Sequence, residues 1–130
     1  MSERAVMRSP LGRAVGLGSA KEGVQHWWAQ RLTALALVPL LLWFVAGLVA
    51  HIGADRAAVV RWLGAPLPAI AMALLLIAGL YHMALGVQVV IEDYVHTEWV
   101  KLTALVVDRF AALVLAVAGL FAVLRIALGG

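Results

Sequence analysis

The chain contains no cysteine, and only 13% of its 130 residues are charged. Without cysteine there can be no disulfide framework, no iron–sulfur ligation and no cysteine nucleophile, so any redox chemistry requires a bound cofactor. With 65% hydrophobic residues, the composition also excludes an ordinary soluble domain. The net charge of +3 is not gathered into a run of Lys and Arg, so nucleic acid is not an expected partner.

Three apolar stretches are long enough to cross a membrane, since about 20 helical residues span the hydrocarbon core. They cover residues 32–50, 67–91 and 102–128. Because they lack the alternation of barrel strands, we predict an all-α integral membrane bundle of three transmembrane helices. Residues 1–31 are predicted to form a cytoplasmic N-terminal arm and interfacial segment, followed by a transmembrane domain at 32–130.

The segments between the apolar runs orient the predicted bundle. Residues 55–68 are polar and rich in helix-breaking residues, so we expect a loop there. Basic residues are more numerous before the first run and at the second connection than in this loop. The positive-inside rule then places the N-terminus in the cytoplasm and the C-terminus in the periplasm. Because the arm lacks a clear amphipathic presequence, a multi-pass protein of a bacterial inner membrane is favoured over a mitochondrial one.

One histidine, His82, lies well inside the second apolar run. An ionisable group at that depth is costly and is retained mainly for a function. Gly79 and Gly86 share its face of the helix. Two interpretations follow: the small residues allow close helix packing, or they clear room for a flat macrocycle whose iron takes the imidazole as axial ligand. The helix offers no second histidine at a suitable spacing, so ligation by two histidines would require another subunit.

The second run ends with Glu92, Asp93 and Tyr94. One interpretation is a solvated helix end with a tyrosine in the interfacial aromatic belt. The other is a binding site for a ligand with an apolar tail and a carbonyl head, such as a quinone, because a phenol can donate a hydrogen bond to a carbonyl. Tyr94 lies about 18 Å along the helix axis from His82, so both sites fit on one helix.

Paired tryptophans, Trp27 and Trp28, precede the first run. They are typical of interfacial anchoring. Arg31 and His26 are also well placed for carboxylates near the cytoplasmic surface, such as haem propionates, because guanidinium binds carboxylate in a bidentate fashion. Asp108 and Arg109 are charged and lie early in the third run. We expect their side chains either to reach the membrane interface or to pair with another helix. The polar residues that receive no functional role are His51, His96, Asp108 and Arg109.

The segment from Tyr81 to His96 reads YHMALGVQVVIEDYVH, with a glycine four residues after the histidine and an Asp-Tyr-Val end. Residues 23–34 read GVQHWWAQRLTA. Together with the three-helix plan, these segments resemble the hydrophobic membrane-anchor subunit, the D subunit, of bacterial succinate dehydrogenase (respiratory complex II). The resemblance spans nearly the whole chain.

The resemblance implies a subunit of a succinate:quinone oxidoreductase of the tricarboxylic acid cycle and aerobic respiratory electron transport. It implies a haem b with His82 as one axial ligand and a histidine of the companion cytochrome b subunit as the other. Tyr94 matches the tyrosine that bonds ubiquinone, Asp93 the adjacent aspartate, and Arg31 an arginine near the haem propionates. A flavoprotein subunit and an iron–sulfur subunit are the other expected partners. With no flavin motif and no cysteine, this chain has no succinate-oxidising centre of its own.

Two alternatives stay open at the level of sequence. The chain could anchor a fumarate reductase, which runs the reverse chemistry. It could instead be a structural or transport-complex membrane subunit without haem, in which His82 only hydrogen-bonds a neighbouring helix.

Overall fold

The computed structural model describes residues 18–129, with side chains for residues 23–129, and within them it contains four helices and no strand. Three of the helices include apolar segments of 28, 29 and 30 residues. Each exceeds the roughly 20 residues that cross a bilayer. The predicted all-α fold with three helices able to span a membrane is therefore confirmed. The helices are α1 (Gly18–Ala50), α2 (Arg56–Gly64), α3 (Pro66–Tyr94) and α4 (Glu98–Ala127).

The observed helices are longer than the apolar runs at most of their ends. The runs at 32–50 and 67–91 lie within α1 and α3, and the run at 102–128 coincides with most of α4. Helix α1 begins at Gly18, so part of the predicted arm continues the first span as helix. Residues 1–17 of that arm lie outside the described residues.

The connection between the first two spans contains a helix, α2, so the prediction of a loop there was wrong. Asp55 caps α2, because its carboxylate accepts a hydrogen bond of 2.8 Å from the backbone N–H of Ala58. Pro66 stands at the first position of α3, where a missing N–H breaks no helical bond. Residues interpreted as helix breakers therefore begin two helices.

Trp62 of α2 packs directly on the backbone of α1 at Gly47. A Cβ atom added to Gly47 would lie 2.1 Å from a carbon of the Trp62 ring. The same ring stacks on His51, with the centroids 4.5 Å apart, and lies 5.7 Å from the ring of Trp43. The absence of a side chain at Gly47 therefore allows α2 to close against α1.

We expect Gly47→Ala to destabilise the protein, because its methyl group would displace the Trp62 ring. Overpacking of this kind costs about 1–3 kcal/mol. The measurement is the thermal unfolding temperature of the purified complex. Gly23→Ala is the matched control, since an added Cβ there meets nothing within 4 Å and alanine favours a helix. If the Gly47 variant unfolded at the temperature of the unmodified complex, the close contact would be refuted.

Helix α3 is the centre of the bundle, packed against α1 on one side and α4 on the other. Among the described residues, only three apolar side chains are buried: Ala69, Ala84 and Leu85. Most of the large apolar side chains are exposed, as expected where lipid or partner chains provide the apolar surroundings.

Candidate functional site

His82 lies near the middle of α3 and turns its ring toward α1. Its Nδ1 atom is 2.8 Å from the hydroxyl oxygen of Thr33. The residue is half-buried, and its Nε2 atom forms no hydrogen bond within residues 23–129. An apolar groove of about 300 Å³ runs beside this pair, with Thr33, Ala78 and Tyr81 in its lining. The histidine therefore has one ring nitrogen engaged by α1 and the other without a protein partner in the described chain.

Gly79 and Gly86 lie on the side of α3 that faces α1. A Cβ atom added to Gly79 would lie 3.7 Å from a Leu37 carbon, and one added to Gly86 would lie 3.8 Å from the Gln30 amide nitrogen. These are ordinary van der Waals distances, so alanine would fit at either position. The arrangement matches the helix-packing interpretation, and the clearing of a haem face by these glycines stays a prediction.

Two further polar side chains, His26 and Gln30, lie one helical turn apart on α1. His26 Nε2 and Gln30 Oε1 are buried and have no hydrogen-bond partner among the residues described. A buried polar atom without a partner costs about 1–3 kcal/mol. The pair therefore marks a place where a polar group from outside the described chain, such as water, a ligand or another subunit, would be stabilised.

Arg31 is not one of these buried polar side chains. It is exposed, and its guanidinium carbon lies 5.4 Å from the centre of the Trp27 ring. Arg31 and His26 are five positions apart, which is about 140° around a helix at 3.6 residues per turn. Arg31 and His26 therefore lie on different faces of α1, and their placement near haem propionates stays a prediction.

Asp93 and Tyr94 end α3 and are both exposed. Tyr94 keeps 78% of its residue surface accessible. Tyr94 and His82 lie on the same uninterrupted helix, so the predicted separation of about 18 Å along the axis holds for their backbones. A binding site at the end of α3 would therefore need walls from outside the residues whose side chains are described.

Arg109 pairs with another helix, which is one of the two arrangements expected from the sequence. Its guanidinium donates a hydrogen bond to the Gln88 side-chain oxygen on α3. The Gln88 amide in turn donates to a Glu92 carboxylate oxygen at 2.9 Å. Gln88 thus links a cation inside α4 to a carboxylate near the end of α3. Asp108, its neighbour in sequence, has a buried Oδ2 atom without a partner in the described part of the chain.

Sequence reasoning missed Thr33 and Gln88 as members of these polar contacts. Thr33 bonds His82 and Gln88 bonds Arg109, two residues that stand out in the sequence. In both cases the two bonded residues lie on different helices. Thr33 is the only hydroxyl residue within 32–50, and this isolation in an apolar span was the available signal.

The fold and these residues define a class of protein, a small helical membrane subunit with a histidine inside a span and apolar faces open to lipid or other chains. The family model described as "Succinate dehydrogenase/Fumarate reductase transmembrane subunit" matches residues 5–124. The chain belongs to this family, and within it to the membrane anchors of succinate dehydrogenase.

Curated relatives carry matching descriptions. The chain is 34% identical over 116 residues to the succinate dehydrogenase hydrophobic membrane anchor subunit of Rickettsia bellii, covering 89% of this chain and 93% of the relative. It is 38% identical over 86 residues to the corresponding subunit of Paracoccus denitrificans, covering 66% of this chain and 67% of the relative. A third relative, from Reclinomonas americana, is 29% identical over 96 residues and covers 72% and 80%. No solved structure matches this chain.

Proposed function

We propose that this anchor subunit shares a haem b with a companion cytochrome b subunit, with His82 as one axial ligand, and forms part of a ubiquinone-reduction site. The observation that carries the haem assignment is the state of the His82 ring. The ring lies near the middle of the span, where an unpaired imidazole is costly. Its Nδ1 atom is bonded to Thr33, and its Nε2 atom has no hydrogen-bond partner in the described chain. Haem supplies one-electron redox capacity when it is bound.

The residues present fit a haem that is held jointly by two chains. The described residues contain no group of three or more His, Cys, Asp and Glu side chains able to hold a metal ion. A haem iron, in contrast, requires only one or two axial ligands from the protein. His82 would supply one of them. The second ligand would then come from a histidine of the companion subunit. The apolar groove lined by Thr33 and Ala78 would offer apolar contact to a haem bound beside it.

The buried His26 Nε2 atom, which has no partner among the described residues, also fits a carboxylate-bearing group near this end of α1. A protonated Nε2 would donate a hydrogen bond to a haem propionate. Arg31 lies on another face of the helix and is stacked on Trp27, so it would bind a propionate only after its guanidinium left the Trp27 ring.

In this proposal the N-terminus faces the cytoplasm and the C-terminus the periplasm of a bacterial inner membrane.

At the end of α3, we assign quinone contacts to Tyr94 and Asp93. The Tyr94 hydroxyl would donate a hydrogen bond to a quinone carbonyl, and Asp93 would hold or deliver a proton, because reduction to a quinol takes up protons. Both side chains are exposed, which suits a pocket completed by the iron–sulfur and cytochrome b subunits. The flavoprotein and iron–sulfur subunits would oxidise succinate, and this chain would anchor them.

A second candidate function is favoured by the same contact. The bond between His82 and Thr33 joins α3 to α1 across the helix interface. The histidine could therefore serve only to form this interhelical hydrogen bond. Interhelical hydrogen bonds in membranes contribute about 0.6–2 kcal/mol. In that case the chain would be a structural anchor without haem.

The optical spectrum of the purified complex distinguishes the two functions. We expect a low-spin b-type haem signal, together with co-purifying flavoprotein, iron–sulfur and cytochrome b subunits. A complete complex with succinate dehydrogenase activity but no haem signal would refute the haem assignment. It would leave the interhelical hydrogen bond as the function of His82.

A further inference from the structure

The Thr33 hydroxyl lies within hydrogen-bond distance of three groups. It is 2.7 Å from the carbonyl oxygen of Ala29, 3.1 Å from that of Gln30 and 2.8 Å from Nδ1 of His82. The two carbonyl oxygens are one turn back on α1, as is typical of a threonine inside a helix. The third group is on α3, so this hydroxyl is the point at which the backbone of α1 meets the histidine.

The single hydroxyl proton must point toward the carbonyl oxygens. Carbonyl oxygens can only accept, and two oxygens 2.7 Å apart without a proton between them would repel each other. The hydroxyl therefore donates to Ala29, with Gln30 as a longer second acceptor, and it offers a lone pair to His82. Nδ1 of His82 must then carry the proton and donate it to Thr33.

In a neutral imidazole only one ring nitrogen carries a proton. With the proton on Nδ1, the lone pair of His82 is on Nε2, the nitrogen that has no partner in the described chain. We infer that Thr33 is a positioning residue, which fixes the tautomer and the ring orientation of His82 so that Nε2 is presented to the haem iron. This inference rests on the proposed haem function.

The same bond has an electronic consequence. An imidazole that donates its Nδ1 proton to an acceptor becomes a more basic ligand through Nε2. A more basic ligand stabilises ferric over ferrous iron, so the bond to Thr33 holds the haem midpoint potential down. The backbone carbonyl oxygens of Ala29 and Gln30 strengthen the effect, because they keep the hydroxyl proton away from His82.

The test is Thr33→Val, which keeps the branched shape and removes the hydroxyl. We expect an upward shift of the haem midpoint potential in an optical redox titration of the purified complex, and haem retention weakened by roughly 10- to 100-fold. A tenfold loss of preference for ferric iron corresponds to about 59 mV for a one-electron couple. Thr33→Ala removes the same hydroxyl with a residue that favours a helix, and the same upward shift is expected.

Two further variants separate the hydroxyl from a packing effect. Thr33→Ser keeps the hydroxyl and removes only the methyl group. Its haem midpoint potential should equal that of the unmodified complex. Thr103→Val removes a hydroxyl whose hydrogen bond within the described chain goes to the Trp99 carbonyl oxygen one turn back, at 2.8 Å, and not to a histidine. It should leave the potential unchanged.

The outcomes distinguish this inference from the proposed function. If the unmodified complex contained no haem, the proposed function would fail. If it contained haem but Thr33→Val and Thr33→Ala kept its potential and its haem content, the haem assignment would stand and the role of Thr33 would be overturned. A shift of equal size in Thr33→Ser would also overturn it, because the hydroxyl would then not be the cause.

Discussion

His82→Ala is expected to remove most of the low-spin b-haem absorption of the purified complex. Alanine has no donor atom, so the haem iron would keep only the ligand from the companion subunit. Loss of an outer partner of a metal ligand typically costs 10- to 100-fold in metal affinity, and loss of the ligand itself should cost more. Any haem that stays bound should show an altered spectrum, since one of its two axial ligands is gone. The measurement is the difference spectrum, reduced minus oxidised, per mole of complex.

His96→Ala is the control for this variant. His96 is exposed in the connection between α3 and α4, so its removal should leave the spectrum unchanged. If His82→Ala gave an assembled complex with the full low-spin spectrum, axial ligation by His82 would be rejected. The bond to Thr33 would then be its remaining interaction in the described chain, and the interhelical function would be favoured.

Tyr94→Phe should impair quinone reduction while succinate oxidation with an artificial soluble acceptor stays largely intact. The variant loses only the hydroxyl that would donate to the quinone carbonyl. Leaving a hydrogen bond unmade costs about 1–3 kcal/mol, which corresponds to roughly a 5- to 140-fold loss of activity, since 1.4 kcal/mol is tenfold. Because Tyr94 is exposed at the end of α3, little effect on folding is expected.

The chain provides a matched control in Tyr81, its only other tyrosine. Tyr81 is on the same helix and lines the apolar groove beside Thr33, far from the end of α3. Tyr81→Phe should retain quinone reduction. Equal losses in both assays for the Tyr94 variant would point to an assembly defect and argue against a quinone contact.

Much of the fold followed from the length of the apolar runs. A membrane requires about 20 apolar helical residues for each span, and the three spans could be located from that requirement alone. Helix α2 could not, because Asp55 and Pro66 carry the same local signal whether they interrupt a helix or begin one. The distinction came from packing, in which Trp62 fits against Gly47 of α1.

For the polar residues, too, some features could be predicted from the sequence and others required the structure. His82, Asp93 and Tyr94 could be singled out from the sequence, because ionisable or hydrogen-bonding groups stand out in or beside an apolar span. Their roles with haem and quinone stay predictions. The partners of such groups lie on other helices, and neither the bond from His82 to Thr33 nor that from Arg109 to Gln88 could be inferred from spacing along the chain.

Composition and the lengths of the apolar runs were enough to predict three membrane-spanning helices with a histidine near the middle of one of them. The solvent imposes these features, since lipid accepts only long apolar helices and makes every polar residue within them costly. The packing of the helices was needed to learn that the histidine ring turns toward α1 and that Nδ1 bonds Thr33, while Nε2 has no partner in the described chain. Hydrogen bonds between helices depend on the register in which the helices pack, and distant side chains set that register.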